Sequence, residues 1–445
     1  MKKVIIRIPE KLCEQIINDL LRVHCFAYER VGFVIGRSKD LPENKILILI
    51  TEYIPIADEH YIDDDTVGAR INSEAIRSAM QIAMERKCSI FHVHKHYGNG
   101  TPSFSRTDLV ELPGIAEAMV NANPENVHGV LLLSEDGADV LLKVKPSKGT
   151  VSLEKIVRVG YPMSFNNKWY QNVKFDENRY DRQSFLGEWS QHILSKIKVG
   201  VIGLGGGGSH IIQQLAHLGV LNYVLFDDDH VENSNLNRLV GATNIDSKLK
   251  VRKTDIAYRL ILGIQPNAHI EIVNKKWQEQ TDSVQICDII LGAVDSFAGR
   301  RDIELECRRY FIPYIDIGMD VRIVSPDPPR LYGQVILSLP GGPCMQCIEY
   351  LTDHLLAKEA EKYGDAGKHP QVIWSNGVLA SNAVGILVDL ITGWSKKNKV
   401  QFFQEYDGNA ITLVKSYRLN YLGDQPCPHY PLSEAGPINW DKFKA

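Results

Sequence analysis

Between Lys198 and Arg238 the chain reads KVGVIGLGGGGSHIIQQLAHLGVLNYVLFDDDHVENSNLNR. Gly203, Gly205, Gly206, Gly207 and Gly208 form a turn whose bare backbone can approach a phosphate. The helix start behind them offers free N–H groups and the positive end of a dipole. Asp227 closes the next apolar run, where a carboxylate can accept a hydrogen bond from a ribose hydroxyl. Taken alone, such a turn suits NAD, FAD, S-adenosylmethionine or ATP. A second group of chemistry-bearing residues lies nearer the N-terminus. His92 and His94 alternate along an apolar run, so both side chains leave on one face and can share a metal. Ser105 and Asp108 follow at S-x-x-D spacing, which is also the spacing of a helix capping box, and Glu29 stands three residues ahead of Gly32. Cys344 and Cys347 form a C-x-x-C pair, a metal or redox arrangement.

The elements that must carry these residues can be read from periodicity. Val199–Ile202 has the length of a buried parallel strand. A helical pattern then runs to Leu218 and stops at Gly219, and Tyr223–Phe226 is a second strand. Strand, glycine turn, helix, strand is half of a doubly wound nucleotide-binding fold. Ile289–Ala293 reads as a further strand, with Asp295 just beyond its C-terminal end, where ligands bind in such sheets or where a carboxylate caps a helix. Residues 1–150 read as a separate α/β unit. Its strands fall at Val4–Ile8, Gly32–Ile35, Ile46–Ile54, Ser89–His94, Val130–Leu133 and Val140–Val144. Its helices carry Leu12, Ile16 and Leu20, span Ser73–Arg86, and begin again near Arg106. Residues 151–177 read as a connection and 178–445 as the second domain.

Asp227-Asp228-Asp229-His230-Val231 followed by Ser234-Asn235-Leu236-Asn237-Arg238 resembles the signature of the ubiquitin-activating-enzyme superfamily, the ThiF and MoeB adenylyltransferases included. The resemblance implies a Rossmann-like domain that binds ATP and Mg2+. Asn235 and Arg238 would serve as fixed donors to the triphosphate. Lys250 matches the family's phosphate-contacting lysine, with Lys248 and Lys253 close enough for the register to slip. Asp229 and Asp295 would hold magnesium. Arg179-Tyr180-Asp181-Arg182-Gln183 resembles the arm of MoeB-like enzymes, which implies a homodimer in which Arg182 reaches the active site of a second copy. Cys344 and Cys347 resemble the first half of the family's structural zinc site. The second half stands at Pro426-Cys427-Pro428-His429-Tyr430, with Tyr430 where a cysteine is usual and His429 able to complete a Cys3His set. Gln371–Gly393 resembles the loop and helix that cross over the substrate tail. That region has no evident nucleophilic cysteine, which leaves the adenylate, Cys307 or Cys347 open as the last acyl carrier.

In the first unit, Glu29-x-x-Gly32 with His92-x-His94 and Ser105-x-x-Asp108 resembles the JAMM (JAB/MPN) zinc metalloprotease family. This implies an α/β JAMM fold with zinc on His92, His94 and Asp108 and a bound water of lowered pKa. Glu29 would be the general base and Ser105 an oxyanion donor. Lys95 stands where that family has proline, and the interval from His94 to Ser105 is longer than usual. His96 shares the strand face and reads as a surface residue.

The net charge of −4 gives no sign of a nucleic-acid or anionic-membrane surface. Charged residues interrupt any signal-peptide core in MKKVIIRIPEKL, and no run of about 18 apolar residues predicts a membrane span. Eight scattered cysteines in a chain of 445 residues suit reduced thiols and a cytoplasmic setting. The two resemblances together imply a bifunctional enzyme. It would adenylate the C-terminal glycine carboxylate of a ubiquitin-like or sulfur-carrier protein and cleave the bond after that terminus, with a conjugating enzyme as a further implied partner. Two alternatives are an adenylase and amide hydrolase acting on a peptide or small molecule, and a scaffold with one inactive site.

Overall fold

The structure is a computed structural model of the full chain. It describes residues 1–437 except 27, 65–67, 172, 324, 362–369, 397–401 and 423–425. The chain divides into two compact units, Met1–Asn172 with Leu432–Ala445, and Val173–Pro431.

The first unit is built on an eight-stranded sheet. In spatial order its strands are Ser164–Phe165, Val151–Val159, Lys2–Pro9, Lys45–Pro55, Val31–Leu41, Ser89–Lys95, His128–Leu133 and Ala138–Lys143. Val151–Val159, expected within a connection over 151–177, pairs parallel with Lys2–Pro9 instead. Its apolar residues Ile156, Val157 and Val159 are buried, so the strand belongs to the core of this sheet. The stretch from Leu432, expected in the second domain, also joins the first unit. Arg37 holds it by donating from Nη1 to Ala435 O (2.8 Å) and from Nη2 to Ser433 O (2.6 Å). Helix Glu10–Leu20 covers the sheet with Leu12, Cys13, Ile16, Ile17 and Leu20 buried on one face. The helices Ser73–Glu85 and Arg106–Ala122 are each started by a side-chain cap, Asn72 and Ser105. Such caps stabilise by about 1 kcal/mol each.

The second unit has its own eight-stranded sheet. Five parallel strands run in the order His269–Val273, Asn222–Phe226, Lys198–Ile202, Ile289–Gly292 and Tyr314–Arg322. Arg330–Ser338, Phe403–Asp407 and Thr412–Lys415 extend it antiparallel. The strand order reverses between Lys198–Ile202 and Ile289–Gly292, and a crevice at such a reversal is where doubly wound sheets bind ligands. The glycine turn and Asp295 both follow the C-terminal ends of those two strands. Helix Ile373–Thr392 is long and apolar enough, by length and composition, to cross a membrane. Here most of that helix is buried against helix Gly206–Leu218 and the strands Tyr314–Arg322 and Arg330–Ser338, as a core helix would be.

Candidate active sites

The nucleotide crevice begins where the strand Lys198–Ile202 ends. Gly203 has a φ of +87°, a left-handed value that a side chain resists. A Cβ on Gly208 would fall inside the van der Waals radius of Gly203 O, so only glycine lets the helix start this close to the strand. Gly205, just before the helix, faces open space, and Gly206 opens its first turn.

Asp227 is the anchor of this turn. Its Oδ2 accepts from Leu204 N at 2.7 Å and its Oδ1 from Asp229 N at 2.9 Å, while burial pushes its carboxyl pKa up. The residue expected to meet a ribose therefore first ties the glycine turn to the second strand.

Lys253, not Lys250, meets the acidic end of that strand. Its Nζ lies 2.6 Å from Asp229 Oδ2, with the lysine side chain 12% exposed and the aspartate 67%. Lys250 is exposed and sits at a φ of +50°. The reason is local. Val251 packs beside Val231 and Ile256, and its carbonyl accepts from Val231 N, so the chain turns at 250 and starts its next helix with Lys253 aimed back at Asp229.

The two carboxylates expected to hold magnesium each have a separate partner. Asp229 is engaged by Lys253, whereas the Oδ1 of Asp295 accepts from Gln371 Nε2 at 3.2 Å. Asp295 is exposed and does not cap the following helix, because Ser296 accepts from Gly299 N in that role. Gln371 also accepts from Arg238 Nε at 3.1 Å. Arg238 Nη1 donates to Ser234 O (2.6 Å) and Asn237 Oδ1 (3.0 Å), which fixes the guanidinium plane. Asn235 closes its own turn by accepting from Glu232 N at 3.0 Å, so its carbonyl oxygen is structural. Arg182 is exposed in the short helical arm Asp181–Leu186.

Cys344, Cys347, Cys427 and His429 converge. Cys347 Sγ lies 3.6 Å from both Cys344 Sγ and Cys427 Sγ, and His429 Nδ1 lies 3.3, 3.4 and 4.0 Å from the three sulfurs. Tetrahedral zinc with bonds of about 2.3 Å to sulfur sets its sulfurs about 3.8 Å apart, so this set fits the ion with little rearrangement. His429 is the fourth member that Tyr430 cannot be.

In the first unit a second histidine pair also meets Asp108. His94, His96 and Asp108 can meet a common ion, and His92 is not among them. His94 Nε2 is 3.5 Å from Asp108 Oδ1, and His96 Nε2 is 3.4 Å from Asp108 Oδ2. Both separations suit ligands sharing one zinc with bonds of about 2.0–2.2 Å. His96 Nδ1 donates to Ser103 O at 3.0 Å, which leaves Nε2 with its lone pair. The His94 ring is buried, and apart from the Asp108 carboxylate 3.5 Å from its Nε2 neither ring nitrogen has a partner. His92 is 4% exposed and packs edge-on against Phe33, and burial pushes its pKa down to about 3. Its Nδ1, like the His94 nitrogens, is buried without a hydrogen-bond partner, and it stands about 6.6 Å further back along the strand from His94.

Ser105 is the N-cap of helix Arg106–Ala122. Its Oγ accepts from Asp108 N (3.1 Å), and Asp108 Oδ2 accepts from Ser105 N (2.7 Å). The capping box thus aims Asp108 at the histidines. The His94 ring, above all, holds the Asp108 carboxyl well below the usual carboxylate range. Glu29 shares this pocket. Burial raises its pKa, and the charges that act on it are those of His94, Asp108 and His96. The loop that presents Glu29 is pinned by Arg30, which is buried, donates to Arg22 O and Asp58 Oδ1, and lies over the Phe26 and Tyr61 rings. Gly68, which no spacing pattern singles out, gives the Glu29 carboxylate its resting place, since any Cβ there would collide with Oε1.

With that geometry in place, comparison with known proteins assigns the second unit. Residues 179–428 match the ThiF family, and the chain belongs to it. Over 38% of this chain it is 30% identical to the SAMP-activating enzyme E1 of Haloferax volcanii, covering 61% of that protein. Over 32% of this chain it is 33% identical to the molybdopterin-synthase adenylyltransferase of Haemophilus influenzae, covering 59% of it. It is 25% identical to the adenylyltransferase and sulfurtransferase UBA4 of Yarrowia lipolytica over 61% of this chain and 67% of that protein. The chain thus spans about six tenths of the length of the first two.

Proposed function

We propose that the second unit is an ATP-dependent adenylyltransferase for the C-terminal carboxylate of a ubiquitin-like or sulfur-carrier protein. The observation that carries this reading is the placement of Arg238, Lys253 and Asp295 around the glycine turn, two cations and a carboxylate suited to MgATP. The names of the ThiF relatives support the substrate class. In the reaction a carboxylate oxygen of the substrate attacks the α-phosphorus, the bond to the β-phosphate oxygen breaks, and pyrophosphate leaves. Arg238 and Lys253 would hold its charge, and Arg182 would add a third cation from a second copy in a homodimer. Asp295 would hold magnesium, which neutralises phosphate charge when bound.

An external nucleophile then bonds to the carbonyl carbon of the acyl adenylate, the bond from that carbon to the phosphate oxygen breaks, and AMP leaves. Among the second unit's cysteines, Cys287 and Cys307 are buried, and Cys344, Cys347 and Cys427 belong to the Cys3His cluster, where they would hold a structural zinc.

For the first unit we propose a JAMM-type metallopeptidase that cuts the bond after the same C-terminal glycine. His94, His96 and Asp108 would hold a zinc ion, which lowers the pKa of a bound water when present. Glu29, its pKa raised by burial, would accept a proton at its carboxylate and return it to the leaving amine.

ATP–pyrophosphate exchange on the purified chain tests the first reading, with candidate ubiquitin-like proteins ending in glycine. Exchange should need both the protein substrate and Arg238, and disappear in Arg238→Ala. Exchange supported by free amino acids or short peptides, but by no such protein, would move the enzyme to peptide or small-molecule biosynthesis. Trimming of a ubiquitin-like precursor that survives Glu29→Gln would remove the peptidase reading.

A further inference from the structure

Gln371 joins the two charged groups that the proposed reaction assigns to MgATP. Its Oε1 accepts from Arg238 Nε at 3.1 Å while its Nε2 donates to Asp295 Oδ1 at 3.2 Å. Among side chains of this size only an amide can satisfy a cationic donor and an anionic acceptor at once. A glutamate here would repel Asp295, and a lysine would repel Arg238.

Gln371 stands two residues ahead of helix Ile373–Thr392, whose first turn also rests on the glycine cradle. The space over Gly206 is filled by Asn376, whose Nδ2 would lie 2.5 Å from a Cβ placed there, and by Arg238 Cδ at 3.3 Å. From below, His210 of helix Gly206–Leu218 would lie 3.4 Å from a Cβ on Gly377 and is hydrogen-bonded to the backbone of Ile373. The entry of this helix therefore touches the phosphate cradle, the triphosphate arginine and the magnesium carboxylate together.

We propose that Gln371 is a nucleotide-displaced bridge: MgATP takes over Arg238 and Asp295, both hydrogen bonds of the Gln371 side chain break, and the entry of helix Ile373–Thr392 is released. The inference rests on reading the second unit as an ATP-dependent adenylyltransferase.

Trp374, three residues beyond Gln371 and 61% exposed, is a built-in reporter. The experiment titrates the full-length chain with a non-hydrolysable ATP analogue and magnesium, following tryptophan fluorescence in parallel with calorimetry. Wild type should show a saturable change that Trp374→Phe lacks. Gln371→Ala should start near the nucleotide-bound emission and bind the analogue roughly three- to tenfold more tightly, because two charge-assisted hydrogen bonds no longer need breaking. Gln371→Glu should bind it more weakly, with Arg238 held as an ion pair. Unchanged or weaker binding by Gln371→Ala, or a wild-type Trp374 signal indifferent to nucleotide, overturns the bridge while leaving the adenylation reading intact. No analogue binding by wild type, or binding that Arg238→Ala does not weaken, overturns both.

Discussion

Exchanging His96 and His92 in separate variants discriminates between two ways of building the first unit's metal site. The proposed ligand set is His94, His96 and Asp108, with imidazole-to-carboxylate separations of 3.5 and 3.4 Å. Zinc bonds of about 2.05 Å to nitrogen and oxygen set tetrahedral ligand atoms about 3.3 Å apart, so the set closes on an ion with shifts of a few tenths of an ångström. His92→Ala removes a buried ring and costs about 1–3 kcal/mol of stability. It removes no ligand. His96→Ala costs little stability, because its side chain is 28% exposed, but it leaves two protein ligands of three. Changes outside the ligand shell already weaken metal binding by about 10–100-fold, so losing a ligand should weaken it by about 100-fold or more. The assay is zinc per folded chain after dialysis against a weak chelator. Wild type and His92→Ala should retain two zinc ions, one here and one in the Cys3His cluster, and His96→Ala only one. Cleavage of a ubiquitin-like fusion should fall about 100-fold in His96→Ala and stay within a few-fold in folded His92→Ala. A His92→Ala chain that loses one zinc, beside a His96→Ala chain that keeps both, would falsify the assignment.

Lys253→Ala should slow ATP–pyrophosphate exchange by about 10–100-fold through loss of a charge-assisted contact, whereas Lys250→Ala should stay within about twofold. Equal losses in the two variants would return the phosphate role to both lysines. His429→Ala should release the structural zinc at lower chelator concentration and lower the unfolding temperature, while His429→Cys should hold the ion. If both variants match wild type in metal retention, His429 is not a ligand. His128 is buried neutral, with Nδ1 accepting from Ile90 N (3.1 Å), Nε2 donating to Asn123 O (2.7 Å), and burial lowering its pKa. The unfolded chain takes up a proton below about pH 6.5 and the folded chain resists it, so stability falls as pH drops through that value, by up to about 1.4 kcal/mol per unit. Urea unfolding at pH 7.5 and 5.5 should show a smaller loss in His128→Gln; an equal loss would place the effect elsewhere.

Much of the nucleotide site was legible because its residues are local. Gly203, Gly205–Gly208, Asp227 and Arg238 lie within one short stretch, and the glycines' backbone requirements can be satisfied by few other residues. Apolar runs and caps likewise marked both units, since burial and hydrogen-bond satisfaction act over a few residues. The capping box at Ser105 was legible in both its senses, and the fold uses it to aim Asp108.

What remained closed were choices among neighbours of identical chemistry. His92, His94 and His96 share one strand face, so a two-residue period cannot choose between them. Only the approach of helix Arg106–Ala122, which brings Asp108 to the end of the strand, does so. Lys248, Lys250 and Lys253 differ by where the chain turns, and that is decided by packing around Val251. Val151–Val159 reads as a connection until it finds the edge of Lys2–Pro9, because strand pairing is a long-range contact. Gln371 opens a stretch with a family resemblance, but its bridging contacts come from lying between Arg238 and Asp295, 133 and 76 residues away in the chain. The sequence by itself determined which chemistries the chain can hold, through backbone demands and donor types that act locally. The tertiary structure decided which copy of each residue performs them, because only the packing of distant segments sets distances between side chains.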